Sequence, residues 1–459
     1  MKQLFTQSEN YKSEYSCSIV RVGELTPVEG SDFLVKTTVN GESVVVRHDE
    51  VKTGDVMFYI SNECEISGKF LFTNNLYNNS LLNSNAREED AEQHKGFFEK
   101  TGRVRMIKLR GVPSYGFLFR KSSLVKLYPE LERIDLDQYV GTSFDTVCGD
   151  ILVKSYVPYI KHTTTTSRTS RRDRFNTLVD GTFKLHYDTE LLGQHVDMLH
   201  PSTVVTISTK LHGTSIVLGN IQCNLPVQLP LYKKFINGVA RLFTKPPFPS
   251  YHKEYRVIYS SRTVIKNRWV DKGSNPHTFE PTTSDVWGKY YRIIGPWIPK
   301  DTMVYGEIVG SSIQKGYDYG CPSGTDKIMI YRVVENGWEL SMPEVGAWVQ
   351  HLIETSGLHD TIIPTPILYR GTLQDLYPEI PVDENYGANI LEAMKHDKTR
   401  LGMEAREPMC KNKVPREGVV VRFDDMQTKA FKLKTDAFKM KEAKMIDEGN
   451  IDIEMNEQL

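Results

Sequence analysis

The chain has 459 residues, 57 Lys and Arg against 58 Asp and Glu, and 39% apolar content, which is the composition of an ordinary globular protein long enough for two domains. A net charge of −1 excludes a uniformly basic nucleic-acid binder but leaves room for a local basic surface. Six scattered cysteines without a CxxC pair exclude a zinc ribbon or disulfide framework and predict a reducing, cytoplasmic compartment; the polar N-terminus and the lack of an apolar run near 18 residues predict neither secretion nor a membrane span.

Short strands come first. Ser18–Val22 alternates, Phe33–Val39 and Ser43–His48 flank the hairpin signal Asn40-Gly41, and Val56–Ile60 follows Thr53-Gly54-Asp55. This spacing predicts a small barrel or sandwich. Asn74–Gly96 is polar and reads as a loose loop. Strand character returns at Arg103–Lys108 and Tyr115–Phe119, where Arg103, Arg105, Lys108, Arg110 and Arg120 form a candidate basic face. Lys161–Phe175 (KHTTTTSRTSRRDRF) reads as a solvated linker or a phosphate-contacting arm, and one segment can serve as both. Beyond Thr203 come strands at Val204–Ser208, Ile216–Leu218, Val257–Tyr259, Met303–Val309, Ile328–Val334, Gly418–Arg422 and Ala430–Leu433. Helices are predicted at Pro343–Thr355 and Ile390–Thr399. Without a regular βαβ rhythm, the class is α+β with largely antiparallel sheet. Ile221–Tyr255, with Lys233, Lys234, Arg241 and Lys245, is either a basic insertion or a solvated surface.

Two Lys-x-x-Gly tetrads stand out, Lys108–Gly111 and Lys210–Gly213, and such tetrads arise by chance. Lys210 differs because ordered blocks follow it: Ser260–Arg262 (SSR), Val304–Gly310 (VYGEIVG), Ile328–Val333 (IMIYRV), Arg416–Arg422 (REGVVVR) and Lys429–Lys434 (KAFKLK). A lysine nucleophile needs an uncharged amine, whereas free lysine titrates at about 10.4. Neighbouring cations, a metal and desolvation favour the neutral form. Lys432 and Lys434 alternate on one strand, so both face one way and can supply that charge or bind a phosphate. Glu307 lies inside an otherwise apolar strand and Glu417 at the mouth of another, where a carboxylate must be paired, hydrogen-bonded or metal-linked. Both fit ribose binding or water-mediated Mg²⁺. Arg262 is a fork for ribose or phosphate, and Tyr331 is a candidate stacking ring.

This ordered set resembles the covalent nucleotidyltransferase superfamily of ATP-dependent ligases and capping enzymes. KLHGTS, REGVVVR and KAFKLK together look most like ATP-dependent RNA ligases of the Deinococcus and Naegleria nick-sealing type, and the resemblance spans roughly 15 to 440. It implies an N-terminal OB-like β-barrel (1–155), a linker (156–180), an α+β nucleotidyltransferase domain of antiparallel sheets and helices (181–440) and an acidic tail (441–459). It makes Lys108–Gly111 part of the front domain. It implies that Lys210 forms lysyl-AMP and that Gly213 lets the chain turn beneath the nucleotide, with His212 beside it. Arg262 and Glu307 would contact ribose, Tyr331 would stack on adenine, and Lys432 and Lys434 would hold phosphates. Glu417 and Glu307 would place Mg²⁺ or Mn²⁺ through water. His212 and Arg332 stand where Asp is common in the superfamily. The implied activity joins 3′-OH and 5′-phosphate RNA ends through an RNA-adenylate, with nicked duplex as partner, no membrane, and a monomer. The alternatives are a GTP-using guanylyltransferase and an inactive nucleic-acid-binding module. A leading OB-like domain, with about 25 residues after Lys434, tells against capping.

Overall fold

The computed structural model describes residues 4–157, 178–179, 181–186, 189–227, 229–240, 247–249, 251–263, 265–266, 286–403, 406–424 and 429–448. The Lys161–Phe175 arm, together with Arg241 and Lys245, lies outside them.

Alternating apolar residues build the front half from β1 (Cys17–Arg21), β2 (Leu34–Val39), β3 (Glu42–Arg47), β4 (Val56–Ile60), β5 (Phe117–Phe119) and β6 (Ser143–Phe144). β2 and β3 form the predicted hairpin. Asn40 at φ 49° and Gly41 at φ 75° supply the two left-handed residues of a type I′ turn. A second sheet runs β5-β4-β1-β6. The expected barrel does not close. Its two sheets meet through the Tyr115 amide on the Ser43 carbonyl (2.8 Å) and the Val45 amide on Ser114 Oγ (2.9 Å), not through a ladder. With three residues in β5 and two in β6, the edge strands are too short to carry pairing around a barrel. Ile19, Phe58, Phe70, Phe119 and Phe144 form the core, where each buried side chain contributes roughly 1.5–3 kcal/mol.

Two expectations for this half are corrected. Arg103 is not part of a basic face: it is buried, and its guanidinium is gripped by Glu63 (2.8 Å) and Asp447 (2.7 Å), as an interior charge requires. Arg105 pairs with Glu99 and Arg120 with Asp55, which leaves Lys108 and Arg110 exposed on a hairpin of Ile107–Leu109 with Val112–Ser114. The first half of the Asn74–Gly96 loop is held by its own asparagines, while most of residues 87–95 are exposed. Buried Asn83 binds the Tyr77 amide and carbonyl at 3.0 Å each, and Asn75 Oδ1 accepts from the Asn85 amide.

In the second half, β7 (Val204–Lys210), β12 (Ile367–Thr372), β13 (Gly418–Phe423) and β14 (Ala430–Lys434) form one sheet, ordered β14-β13-β7-β12 with Glu190–Leu191 on its edge. β8 (Thr214–Pro226), β9 (Tyr251–Ser260), β10 (Thr302–Val309) and β11 (Lys327–Glu335) form another, ordered β9-β8-β10-β11. Pairing is antiparallel except for two short parallel edges, Glu190–Leu191 on β14 and Ile362–Pro364 on β11. The class is α+β, as expected.

The second half carries the helices α1 (Leu231–Ala240), α2 (Val286–Ile294), α3 (Met342–Ser356), α4 (Tyr386–His396) and α5 (Asp436–Asp447) among its described residues. α3 starts at a Ser341/Glu344 capping box and stops at Gly357, φ 72°. α2 and α3 pack Tyr290, Ile294, Val349 and Leu352 against Ile216, Ile308 and Ile330. α4 packs Ile390 and Met394 against Val205, Ile207, Val419 and Val421. α1, α2 and α5 have no counterpart among the predicted helices. α1 lies inside the Ile221–Tyr255 insertion and is inverted. Asn237 is buried against the Phe248 backbone, while Leu231, Tyr232 and Phe235 face solvent. Among the described residues, no helix is long and apolar enough to cross a membrane.

Candidate active site

Period-two geometry makes the site. Odd-numbered residues of the first sheet (Val205, Ile207, Val419, Val421, Phe431, Leu433) point into its core, so even-numbered ones point the other way. Register then aligns two rows on that polar face, Lys210–Gly418–Lys434 and Ser208–Val420–Lys432. The nucleophile candidate on β7 and both phosphate candidates on β14 thus share one face, on either side of β13. Gly418 sits between Lys210 and Lys434 at φ 150°, and a Cβ there would meet the Leu433 carbonyl oxygen at 2.0 Å.

The chain crosses from this sheet to the other at Leu211-His212-Gly213. The crossing is close: a Cβ on Gly213 would lie 2.2 Å from the Ile308 carbonyl oxygen. The Gly213 amide donates to Glu307 Oε1 (3.1 Å), and Gln314 donates to the Gly213 carbonyl (3.1 Å). Glu307 lies across from Ser215 in the β8–β10 ladder. On β11, Tyr305 pairs with Arg332 and Gly306 with Ile330, so Tyr331 is the extra residue of a β-bulge. A bulge re-aims a side chain; the Tyr331 hydroxyl meets His186 Nδ1 at 2.9 Å.

All nine predicted site residues line one cavity of about 250 Å³: Lys210, His212, Gly213, Arg262 and Glu307 with Tyr331, Glu417, Lys432 and Lys434. Its cations are paired. Lys210 Nζ lies 2.6 Å from Glu417 Oε1, Lys432 lies 2.5 Å from Glu14, and Lys434 lies 2.9 Å from Glu442. Arg332 and Arg422 share Glu339 at 2.7 and 3.2 Å, so Arg332 is held as half of a charge network at the cavity wall.

Burial lowers the Lys432 pKa, and the neighbouring Lys434 and Lys210 lower it further against the opposing pull of Glu14. Lys434 moves the other way despite burial, because Glu442, Glu417 and Glu14 surround it. Burial would raise Glu442 and Glu14, but the lysines outweigh it and both carboxyls are held below their usual range. His212 is pushed down by burial, with Glu417 opposing. Its imidazole is packed edge-on between Tyr317 and Phe438, and its amide donates to the Tyr319 hydroxyl.

Glu417 is buried, and its second oxygen, Oε2, has no hydrogen-bond partner; His212 Nδ1 is 3.8 Å away, beyond hydrogen-bonding reach. A buried carboxylate oxygen without a donor suits a metal's water shell. Among the described residues, no group of three or more His, Cys, Asp or Glu could hold a metal ion directly.

Sequence reasoning missed other residues that line the cavity: Lys12, Glu14 and Tyr15 from the front domain, His186, the Arg422–Glu339 pair and Glu442. Arg422 had a signal, since it ends REGVVVR, whereas Glu442 lies on a helix that sequence reasoning did not predict. The front-domain trio had none, because its proximity is purely tertiary.

An OB fold in front of a lysine-centred, two-sheet cavity defines a two-part enzyme, and an OB-fold domain family matches residues 16–120. The chain belongs to the RNA ligase family, whose model matches residues 203–441, just over half of the sequence. None of the curated proteins matches the chain in sequence. Solved structures of Naegleria gruberi RNA ligase are similar along nearly the whole length. An apo point mutant shows 16% identity and a TM-score of 0.54 over 94% of this chain and 99% of its own. A point mutant with ATP and Mn shows 17% identity and 0.52 over 94% and 99%, and one with AMP and Mn shows 15% and 0.51 over the same shares. At these identities the likeness concerns the fold.

Proposed function

We propose that this RNA ligase is ATP-dependent and works through a covalent lysyl-AMP on Lys210. The observation that carries the reading is the convergence of Lys210, Lys432 and Lys434 on one sheet face, opposite Glu307, Arg262 and Tyr331, inside one cavity.

In the first step Lys210 Nζ attacks the α-phosphorus of ATP in line. A P–N bond forms, the bond from the α-phosphorus to the bridging oxygen breaks, and pyrophosphate leaves. Lys210 must give up a proton in this step, and Glu417 Oε1, 2.6 Å from its Nζ, is the acceptor in this reading. Both lysines hold phosphate oxygens, while Arg262 and Glu307 bind ribose and Tyr331 stacks on adenine. The Gly213 amide fixes Glu307 for that contact. When bound, a divalent cation such as Mg²⁺ or Mn²⁺ neutralises phosphate charge, and Glu417 with Glu307 would hold its water shell. Next a 5′-phosphate oxygen of RNA attacks the same phosphorus, the P–N bond breaks, and Lys210 recovers its proton. Finally a 3′-hydroxyl attacks the 5′-phosphorus and gives its proton to solvent; the phosphodiester bond forms, the anhydride bond to AMP breaks, and AMP leaves.

The reading extends to nicked duplex as substrate and a monomer as the working unit, with the exposed Lys108 and Arg110 hairpin available to a phosphate backbone. Six free cysteines support a reducing compartment, the cytoplasm in our reading. The test is incubation with divalent cation and labelled ATP or GTP. Label from ATP should stay on the denatured protein and vanish in Lys210→Ala, which should also lose sealing. Label from GTP alone would assign a capping-type enzyme, and sealing by Lys210→Ala would overturn the covalent route.

A further inference from the structure

The front domain enters the cavity. Ser13–Tyr15 is a single 3-10 turn, and from it Glu14 reaches Lys432 at 2.5 Å, across 418 positions of sequence. The turn is fixed from both halves of the molecule. Ser61 Oγ donates to the Glu14 carbonyl (2.7 Å), and Gln194 donates to the Ser13 carbonyl (3.1 Å). The domain behind it is docked on α5: the Tyr115 hydroxyl donates to Asp436 (2.9 Å), and Lys439 meets Glu42 at 2.6 Å. Lys12 and Tyr15 line the same cavity.

A carboxylate and a phosphate oxygen make the same demand on an ammonium group. Lys432 is 5% exposed, and Glu14 sits on it at contact distance, so a phosphate approaching that lysine meets an anion already in place. Like charges at such a distance inside a cleft repel strongly. We propose that Glu14 is an intramolecular stand-in for a nucleotide phosphate, so that loading of ATP requires its carboxylate to leave Lys432 and loosens the front-domain turn from the catalytic cavity. The proposal rests on the assignment of Lys432 to phosphate made above. Glu14 thereby acts as a residue that sets the affinity for the nucleotide and not as a group that touches the reacting atoms. When only a fraction of the protein has Lys432 free, apparent affinity is reduced by that fraction.

The test uses the full chain and labelled ATP, with the rate of lysyl-AMP formation followed across ATP concentration. Glu14→Gln should lower the half-saturating ATP concentration by roughly five- to tenfold, with the maximal rate changed less than about threefold. Glu14→Ala should move it the same way, and inorganic pyrophosphate should inhibit both variants at lower concentration than wild type. An unchanged or raised half-saturation in either variant, or a loss confined to the maximal rate, would overturn the proposal and make the pair a purely structural tie. Lys432→Ala separates the two levels of argument. If it forms adduct with wild-type half-saturation and rate, the phosphate assignment itself fails, whatever Glu14 does.

Discussion

At the residue scale, the site is a set of charges whose pairing sets their protonation. His212 illustrates this. Burial lowers its pKa, so it stays neutral in the folded protein below the pH at which the unfolded chain takes up a proton, about 6.5 for an ordinary histidine. In that window the unfolded state binds more protons, and stability therefore rises with pH. Stability should fall as pH drops from about 7 to about 5 in wild type, and fall less in His212→Asn. Chemical denaturation at a series of pH values measures both curves, and an equal or steeper fall in the variant would refute the assignment. Position 212 also shows what a substitution at a familiar motif position can mean. The imidazole is packed between two aromatic rings, while the oxygen that suits a metal's water shell belongs to Glu417.

At the element scale, strand register does most of the positioning. Three strands from positions 204–210, 418–423 and 430–434 must align without slippage for Lys210 and Lys434 to flank Gly418. Gly418→Ala tests this directly. A Cβ 2.0 Å from the Leu433 carbonyl oxygen, on backbone at φ 150°, forces β13 and β14 apart. We expect a loss of roughly 2–4 kcal/mol and a lower melting temperature, together with reduced adduct formation. A variant as stable as wild type would show that the ladder relaxes at no cost. The motif strands were legible in sequence because they are β-branched, and α3 and α4 were legible because their apolar spacing is regular. α5 was not, since its apolar positions are few and charged residues dominate its surface. Nor was the bulge at Tyr331, which depends on how β10 pairs with β11 and not on local composition.

At the scale of the whole molecule, α5 joins the two halves. Its Asp436, Lys439 and Asp447 contact Tyr115, Glu42 and Arg103 of the front domain. Arg103 is the most buried charged member, and its removal strands Glu63, whose pKa is already raised by burial despite the guanidinium beside it. Arg103→Met should cost about 3–5 kcal/mol, the range for breaking a buried ion pair from one side. It should also raise amide exchange in α5 and in the front-domain strands together. Destabilisation confined to the front domain would mean that the contact with Asp447 does not couple them. Arg103, read from sequence as part of a nucleic-acid surface, thus acts inside the fold. A run of basic residues does not reveal which of them face solvent.

By itself the sequence determined the α+β class, the strands that carry the motifs, and nine of the residues that line the cavity, from Lys210 to Lys434. Strand periodicity and ordered motif blocks are local properties of the chain, and the resemblance those blocks carry to RNA ligases supplied the rest. Only the tertiary structure decided how those residues are charged and who completes the cavity. Glu14, Tyr15 and Glu442 reach it through domain docking and helix packing, and Glu417 is left with an unpaired oxygen by the same packing. Contacts between residues hundreds of positions apart leave no periodic trace in sequence. They follow from burial and charge balance, which become defined once the two halves have closed on each other.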